Sequence, residues 1–159
     1  MDNFLTHNKN KHHIGIAADH AGFEMKNYLL KMLTDHGFEV TDYGAENLNT
    51  ADDYPDYVIP LSKAIAKGEL VKGIAICGSG VGACITGNKV KGVRACLIHE
   101  TFSAKQGVED DDMNLLCLGA RVLTNESGWQ LAQIFLAAEF SGLERHKRRL
   151  AKIHELENS

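Results

Sequence analysis

Short apolar runs alternate with helix-period stretches from His13 to the end of the chain, and this alternation restricts the fold more than any other feature. The runs at 14–18, 38–43, 73–77, 93–98 and 115–118 read as strands. Helical spacing is predicted over 23–36, where Phe23, Tyr28, Leu29, Met32 and Leu33 recur on one face and Gly37 ends the pattern. Further helices are predicted over 54–67, with Pro55 in the first turn and Gly68 at the end, and over 81–88, 101–108, 127–140 and 143–157. The segment 47–53 reads as a polar loop, and the acidic run 109–112 as a segment following the fourth helix. Strand–helix alternation implies a parallel sheet with helices on both faces, a three-layer α/β fold of five strands with a C-terminal helix. In such sheets ligands bind beyond the carboxyl ends of the strands.

A chain of 159 residues suits one domain, here 13–159, preceded by a polar extension at 1–12 rich in Asn, Lys and His. The net charge of −4 gives no footprint of a nucleic-acid binder, and no apolar run approaches a membrane span of about 20 residues. The opening residues lack the apolar stretch of a secretory signal, so a reducing cytoplasmic location is expected. The four cysteines, Cys77, Cys84, Cys96 and Cys117, form no CxxC pair and no zinc-type spacing. Cys84, Cys96 and Cys117 read as packed apolar side chains.

The most informative segment for chemistry is Ile74 to Gly82, where a strand ends in Cys77 and runs into Gly78-Ser79-Gly80-Val81-Gly82. Glycines let backbone approach a ligand, and successive N–H groups at a helix start hold an anion or a developing oxyanion. A thiol there is either a general base or a packed strand-end residue. Gly78, Gly80 and Ala83 also fit G-x-G-x-x-A, a weak dinucleotide signal that here follows the third strand, not the first. The P-loop pattern fails, because Gly87 is followed by Asn88. Asp19-His20, just after the first strand, suits a helix cap or a contact to sugar hydroxyls or phosphate. Arg145 and Arg149 share a helix face and suit a phosphate dianion or a solvated helix. The run Asp110-Asp111-Asp112 suits a surface loop, a helix cap or a metal site, although the EF-hand pattern is absent.

Taken together, Asp19-His20-Ala21-Gly22, Asp53-Tyr54-Pro55, Cys77 to Gly82, Asn88-Lys89, Gly119-Ala120-Arg121 and Arg145-His146-x-x-Arg149 resemble, in order and spacing, the B-type ribose-5-phosphate isomerases. That family includes the galactose-6-phosphate isomerase subunits. The resemblance covers the chain from about His13 onward. It implies a Rossmann-like fold and a homodimer, or a dimer of dimers, with sites shared between subunits. It also implies cofactor-free and metal-free aldose–ketose interconversion, a step of the non-oxidative pentose phosphate pathway.

By this resemblance Cys77 is the general base, while Ser79 and the N–H groups of Gly78, Gly80, Val81 and Gly82 stabilise a cis-enediolate. Asp19 and Tyr54 contact the sugar, and His20, Arg121, Arg145 and Arg149 hold the phosphate. Members that use a glutamate base carry it where Ala83 stands here. The sequence departs from the family at Asp110-Asp111, which occupy the position of a His-Asn pair whose histidine assists ring opening. Either Asp110 takes over that task, with Asp111 beside the substrate, or ring opening falls to another group such as His99 or to the spontaneous reaction. Three rivals remain at this level. They are an isomerase of galactose or allose 6-phosphate, a nucleotide-binding module and an interaction protein working through its basic helix.

Overall fold

The computed structural model describes residues 13–159, so the expected extension at 1–12 lies outside the described residues. Strands β1 (His13–Ala18), β2 (Glu39–Asp42), β3 (Lys72–Cys77), β4 (Ala95–Leu97) and β5 (Leu115–Gly119) pair in parallel in the order β2-β1-β3-β5-β4. They alternate with helices α1 (Phe23–Asp35), α2 (Pro55–Ala66), α3 (Val81–Asn88), α4 (Thr101–Asp111), α5 (Asn125–Ala137) and α6 (Glu144–Glu157). A short 3-10 turn, His20–Gly22, leads into α1.

After the leading His13 of β1 and Lys72 of β3, the three central strands are apolar because both faces are covered. Ile14, Ile16, Ile74, Ile76, Leu116 and Leu118 pack with Met25, Leu29, Val108 and Phe135 from α1, α4 and α5. Ala17, Ala75, Leu115 and Cys117 pack on the other face with Val58, Leu61 and Ala83 from α2 and α3. Helix α6 lies outside this sandwich against α4. Lys26 of α1 is the most deeply buried charged side chain among the described residues, 1% exposed and ion-paired to Asp42 at the end of β2.

Two predicted helices change their bounds by two residues or more. The acidic run is not a separate segment after the helix, because α4 continues to Asp111 and Asp112 caps it in the left-handed region at φ 50°. Arg94 holds that cap, donating from Nε to the Asp112 carbonyl at 2.6 Å and from Nη2 to its carboxylate at 3.0 Å. Helix α5 begins at Asn125, since the Thr124 hydroxyl accepts the Ser127 N–H. It ends at Ala137, where the Lys72 ammonium donates to the carbonyls of Phe135 and Ala138.

Candidate active site

A parallel sheet delivers every strand end to one edge, and there the first cluster assembles. Asp19 follows β1 and closes the 3-10 turn, its Oδ1 accepting the N–H groups of Ala21 at 3.0 Å and Gly22 at 3.2 Å. Next to it, His20 Nδ1 lies 2.6 Å from Asp52 Oδ1, which also accepts the His20 backbone N–H at 3.1 Å. The Asp52 side chain is only 5% exposed, against 27% for His20. Burial alone would raise the Asp52 carboxyl. The hydrogen bonds from the His20 ring and backbone and from Tyr57, with the His20 charge, hold it below its ordinary value instead. Asp52 was not singled out in the sequence, where it is one acid in a polar loop. With its Nδ1 committed to Asp52, His20 keeps Nε2 for a ligand.

Beside this pair, β3 ends in Cys77, which is 4% exposed. The Gly80 N–H donates to the Cys77 sulfur at 3.2 Å, and the Val81 N–H to Ser79 Oγ at 3.3 Å. The loop that wraps the sulfur depends on Gly80, whose φ of 81° lies in the left-handed region and whose added Cβ would sit 2.5 Å from Leu97. Tyr54 covers the opposite side of the loop so closely that a Cβ on Gly82 would fall 2.5 Å from its ring. After β5 the chain turns over the same loop, with the Arg121 N–H bonded to the Gly78 carbonyl at 2.9 Å. The Arg121 guanidinium lies 3.2 Å from the position a Gly78 Cβ would take. Asp19, His20, Tyr54, Cys77, Ser79, Arg121 and the glycine loop therefore form one surface, with a thiol, an imidazole and a guanidinium around preformed N–H donors.

The remaining expected site residues are elsewhere in the same chain. A crossover helix returns to the amino-terminal edge of the sheet, so the last turn of α4, which carries Asp110 and Asp111, ends at Asp112 against Arg94, just before β4. Helix α6 is tied to that edge at both ends, by Ser141 N–H to the Glu109 carbonyl and Gly92 N–H to Glu157. Arg145 and Arg149, both exposed, belong to this helix. The length of β5 alone separates the two clusters by about 15 Å.

Among the described residues, one set of ligand-type atoms converges, those of Asp19, His20 and Asp52, all within 4.8 Å of one another. Their hydrogen bonds to backbone N–H groups and to each other already account for that convergence. Of the cysteines expected to be inert, Cys117 is fully buried, whereas Cys84 and Cys96 are only partly so. The Cys84 thiol is lowered to about 7, chiefly by a hydrogen bond with Cys117, and burial pushes Cys96 up to about 11.

The sequence profile of the Ribose/Galactose Isomerase family matches residues 14–153. The chain belongs to that family. It is 36% identical over 144 residues to ribose-5-phosphate isomerase B of Escherichia coli, covering 91% of this chain and 95% of that protein. It is 38% identical over 129 residues to a D-erythrulose-4-phosphate isomerase of Pectobacterium atrosepticum, covering 81% and 85%. The crystal structure of ribose-5-phosphate isomerase B from Mycoplasma genitalium with bound ribulose-5-phosphate superposes with a TM-score of 0.88 at 37% identity, over 92% of this chain and 97% of that one. The family assignment makes this chain a sugar-phosphate isomerase and removes the nucleotide-binding and interaction-protein readings. No helix among the described residues is long and apolar enough to cross a membrane.

Proposed function

We propose that this isomerase interconverts ribose 5-phosphate and ribulose 5-phosphate, the chemistry of the non-oxidative pentose phosphate pathway, with Cys77 carrying the proton. The observation that carries the reading is the Cys77 sulfur fixed at the end of β3 by the Gly80 N–H at 3.2 Å, inside a loop of N–H donors. As thiolate, Cys77 removes the proton from C2 of the open-chain aldose, and charge develops on the C1 oxygen. Ser79 and the N–H groups at the start of α3 meet that charge, so the cis-enediolate forms against donors already in place. The O2 hydroxyl proton passes to O1, and return of the carbon-bound proton from Cys77 to C1 leaves a carbonyl at C2 and a hydroxyl at C1, the ketose. His20 Nε2 and Arg121 hold the phosphate, with Asp19 and Tyr54 on the sugar.

In this reading the site is shared. A second copy supplies Asp110, Asp111, Arg145 and Arg149, because one chain carries the two clusters at opposite edges of its sheet. Exposed Val81 and Ile85 on α3, and Ile153 and Leu156 on α6, are apolar surface available to such a homodimer. Asp110 then takes part in opening the furanose ring. The Pectobacterium relative favours a second substrate reading, a four-carbon sugar phosphate.

The test is turnover of a panel of four-, five- and six-carbon aldose phosphates by wild type and Cys77→Ala. Wild type is expected to convert ribose 5-phosphate fastest, and Cys77→Ala to lose about 10²–10⁴-fold. A Cys77→Ala enzyme as fast as wild type would remove the cysteine from the mechanism. A faster rate on another carbon number would reassign the substrate.

A further inference from the structure

The buried histidine of the basic helix has no part in the chemistry described so far. His146 is 2% exposed although its neighbours Arg145 and Lys147 are exposed, so α6 turns this one polar side chain inward against α4. Its Nδ1 lies 2.7 Å from Ser141 Oγ, and that oxygen also accepts the Leu143 N–H at 3.3 Å. The hydroxyl can accept from the backbone and still give its own proton to His146 Nδ1; when it does, the imidazole carries its hydrogen on Nε2. Nε2 is 3.5 Å from Asp110 Oδ1, longer than a formed N–H···O bond by about half an ångström. The other oxygen, Asp110 Oδ2, accepts the Gln106 side-chain amide at 2.8 Å. The Ser141 N–H bonds the Glu109 carbonyl at 2.9 Å, so the turn before α6 is anchored to the same last turn of α4.

We propose that His146 is a positioning residue for ring opening: locked by Ser141, it presents its Nε2–H to Asp110 and, with Gln106, holds that carboxylate as an acceptor for the anomeric hydroxyl proton. This rests on the reading of Asp110 given above. Both oxygens of Asp110 face donors, and in this proposal the carboxylate so held takes the proton from the sugar O1 hydroxyl. The C1–O bond to the ring oxygen then breaks, the aldehyde forms, and the ring oxygen takes a proton from solvent or a neighbouring acid. His146 transfers nothing; it sets the position of the base. The same side chain registers α6 on α4, so Asp110 and the Arg145/Arg149 pair are presented as one rigid unit.

Substrate chemistry separates this from a packing role. Ribose 5-phosphate is a furanose that must open. Ribulose 5-phosphate is open-chain, because its C5 oxygen carries the phosphate. The ratio of kcat from ribose 5-phosphate to kcat from ribulose 5-phosphate therefore reports ring opening. Asp110→Asn and His146→Leu are expected to lower that ratio by about tenfold or more, and Ser141→Ala by a smaller factor. His146→Gln, which keeps an N–H donor, is expected to restore most of it. If Asp110→Asn leaves the ratio unchanged, the Asp110 reading itself fails and the proposal with it. If Asp110→Asn lowers the ratio but Ser141→Ala and His146→Leu do not, Asp110 acts and His146 only packs. Should His146→Leu not fold, Ser141→Ala still decides.

Discussion

Replacing Asp52 with alanine tests how the amino-proximal half of the site is held. The change removes an acceptor shared by the His20 ring at 2.6 Å and the His20 backbone N–H at 3.1 Å. A hydrogen bond to a charged group is worth roughly 1.5–3 kcal/mol. The Asp52 side chain is 5% exposed, but the 27% exposure of His20 lets water replace part of what is lost. The expected destabilisation at pH 7 is therefore about 1–2 kcal/mol, or roughly 2–8 °C in Tm for a chain of this size. The pH dependence has a fixed sign. The Asp52 carboxyl is lowered in the fold from its model-compound value of 3.8, so its stabilisation is present above that value and fades as pH falls through the lower folded one. Thermal melts of wild type and Asp52→Ala should thus differ at pH 7 and converge toward pH 3. KM for the sugar phosphate should rise several-fold with kcat less affected, because the freed imidazole no longer presents Nε2 in one tautomer. A difference in Tm that is absent at pH 7, or that persists undiminished at pH 3, would refute this reasoning.

Further outcomes follow from other contacts. Gly80→Ala forces a side chain into the left-handed region at φ 81° and against Leu97 and the Leu118 backbone. It should cost at least about 1–2 kcal/mol in denaturant melts and most of the activity. Lys26→Ala leaves Asp42, 29% exposed, without its buried partner. A loss of about 2–4 kcal/mol is expected in urea unfolding, whereas Lys26→Met should recover part of it. Among Cys84, Cys96 and Cys117, brief iodoacetamide treatment at pH 7 should label Cys84 first by peptide mass spectrometry, because its thiol lies at about 7 and that of Cys96 at about 11. Equal labelling of the three would contradict those environments.

The strand and helix succession could be read because β1, β3 and β5 are buried on both faces and therefore uninterrupted in hydrophobicity. The last turn of α4 could not. Four acids, Glu109 to Asp112, at a helix carboxyl end oppose the helix dipole, and contacts with basic side chains make that turn tenable. Arg94 holds the Asp112 carbonyl and carboxylate, and Lys105 lies 3.6 Å from Glu109. Asp52 was illegible for a similar reason. Its partner His20 is 32 residues away, and nothing local distinguishes a buried loop carboxylate from a solvated one. The residues of the glycine loop were legible because glycine at a strand end has a backbone reason, which Gly80 and Gly82 confirm. Strand order in the sheet was not, and β5 inserts between β3 and β4. The separation of the α4 end from the strand ends nevertheless follows from alternation alone, since the end of any crossover helix lies opposite the strand ends.

Mixing two defective variants tests the proposed sharing of the isomerase site most directly. Cys77→Ala removes the thiol of one cluster, and Arg149→Ala removes the guanidinium proposed to contact phosphate from the other. If each site draws Cys77 from one chain and Arg149 from another, co-refolded mixtures contain dimers with one intact site. Random pairing then recovers about a quarter of wild-type turnover of ribose 5-phosphate, although each variant alone is nearly inactive. Activity no greater than the sum of the separate variants would contradict a site built across two chains.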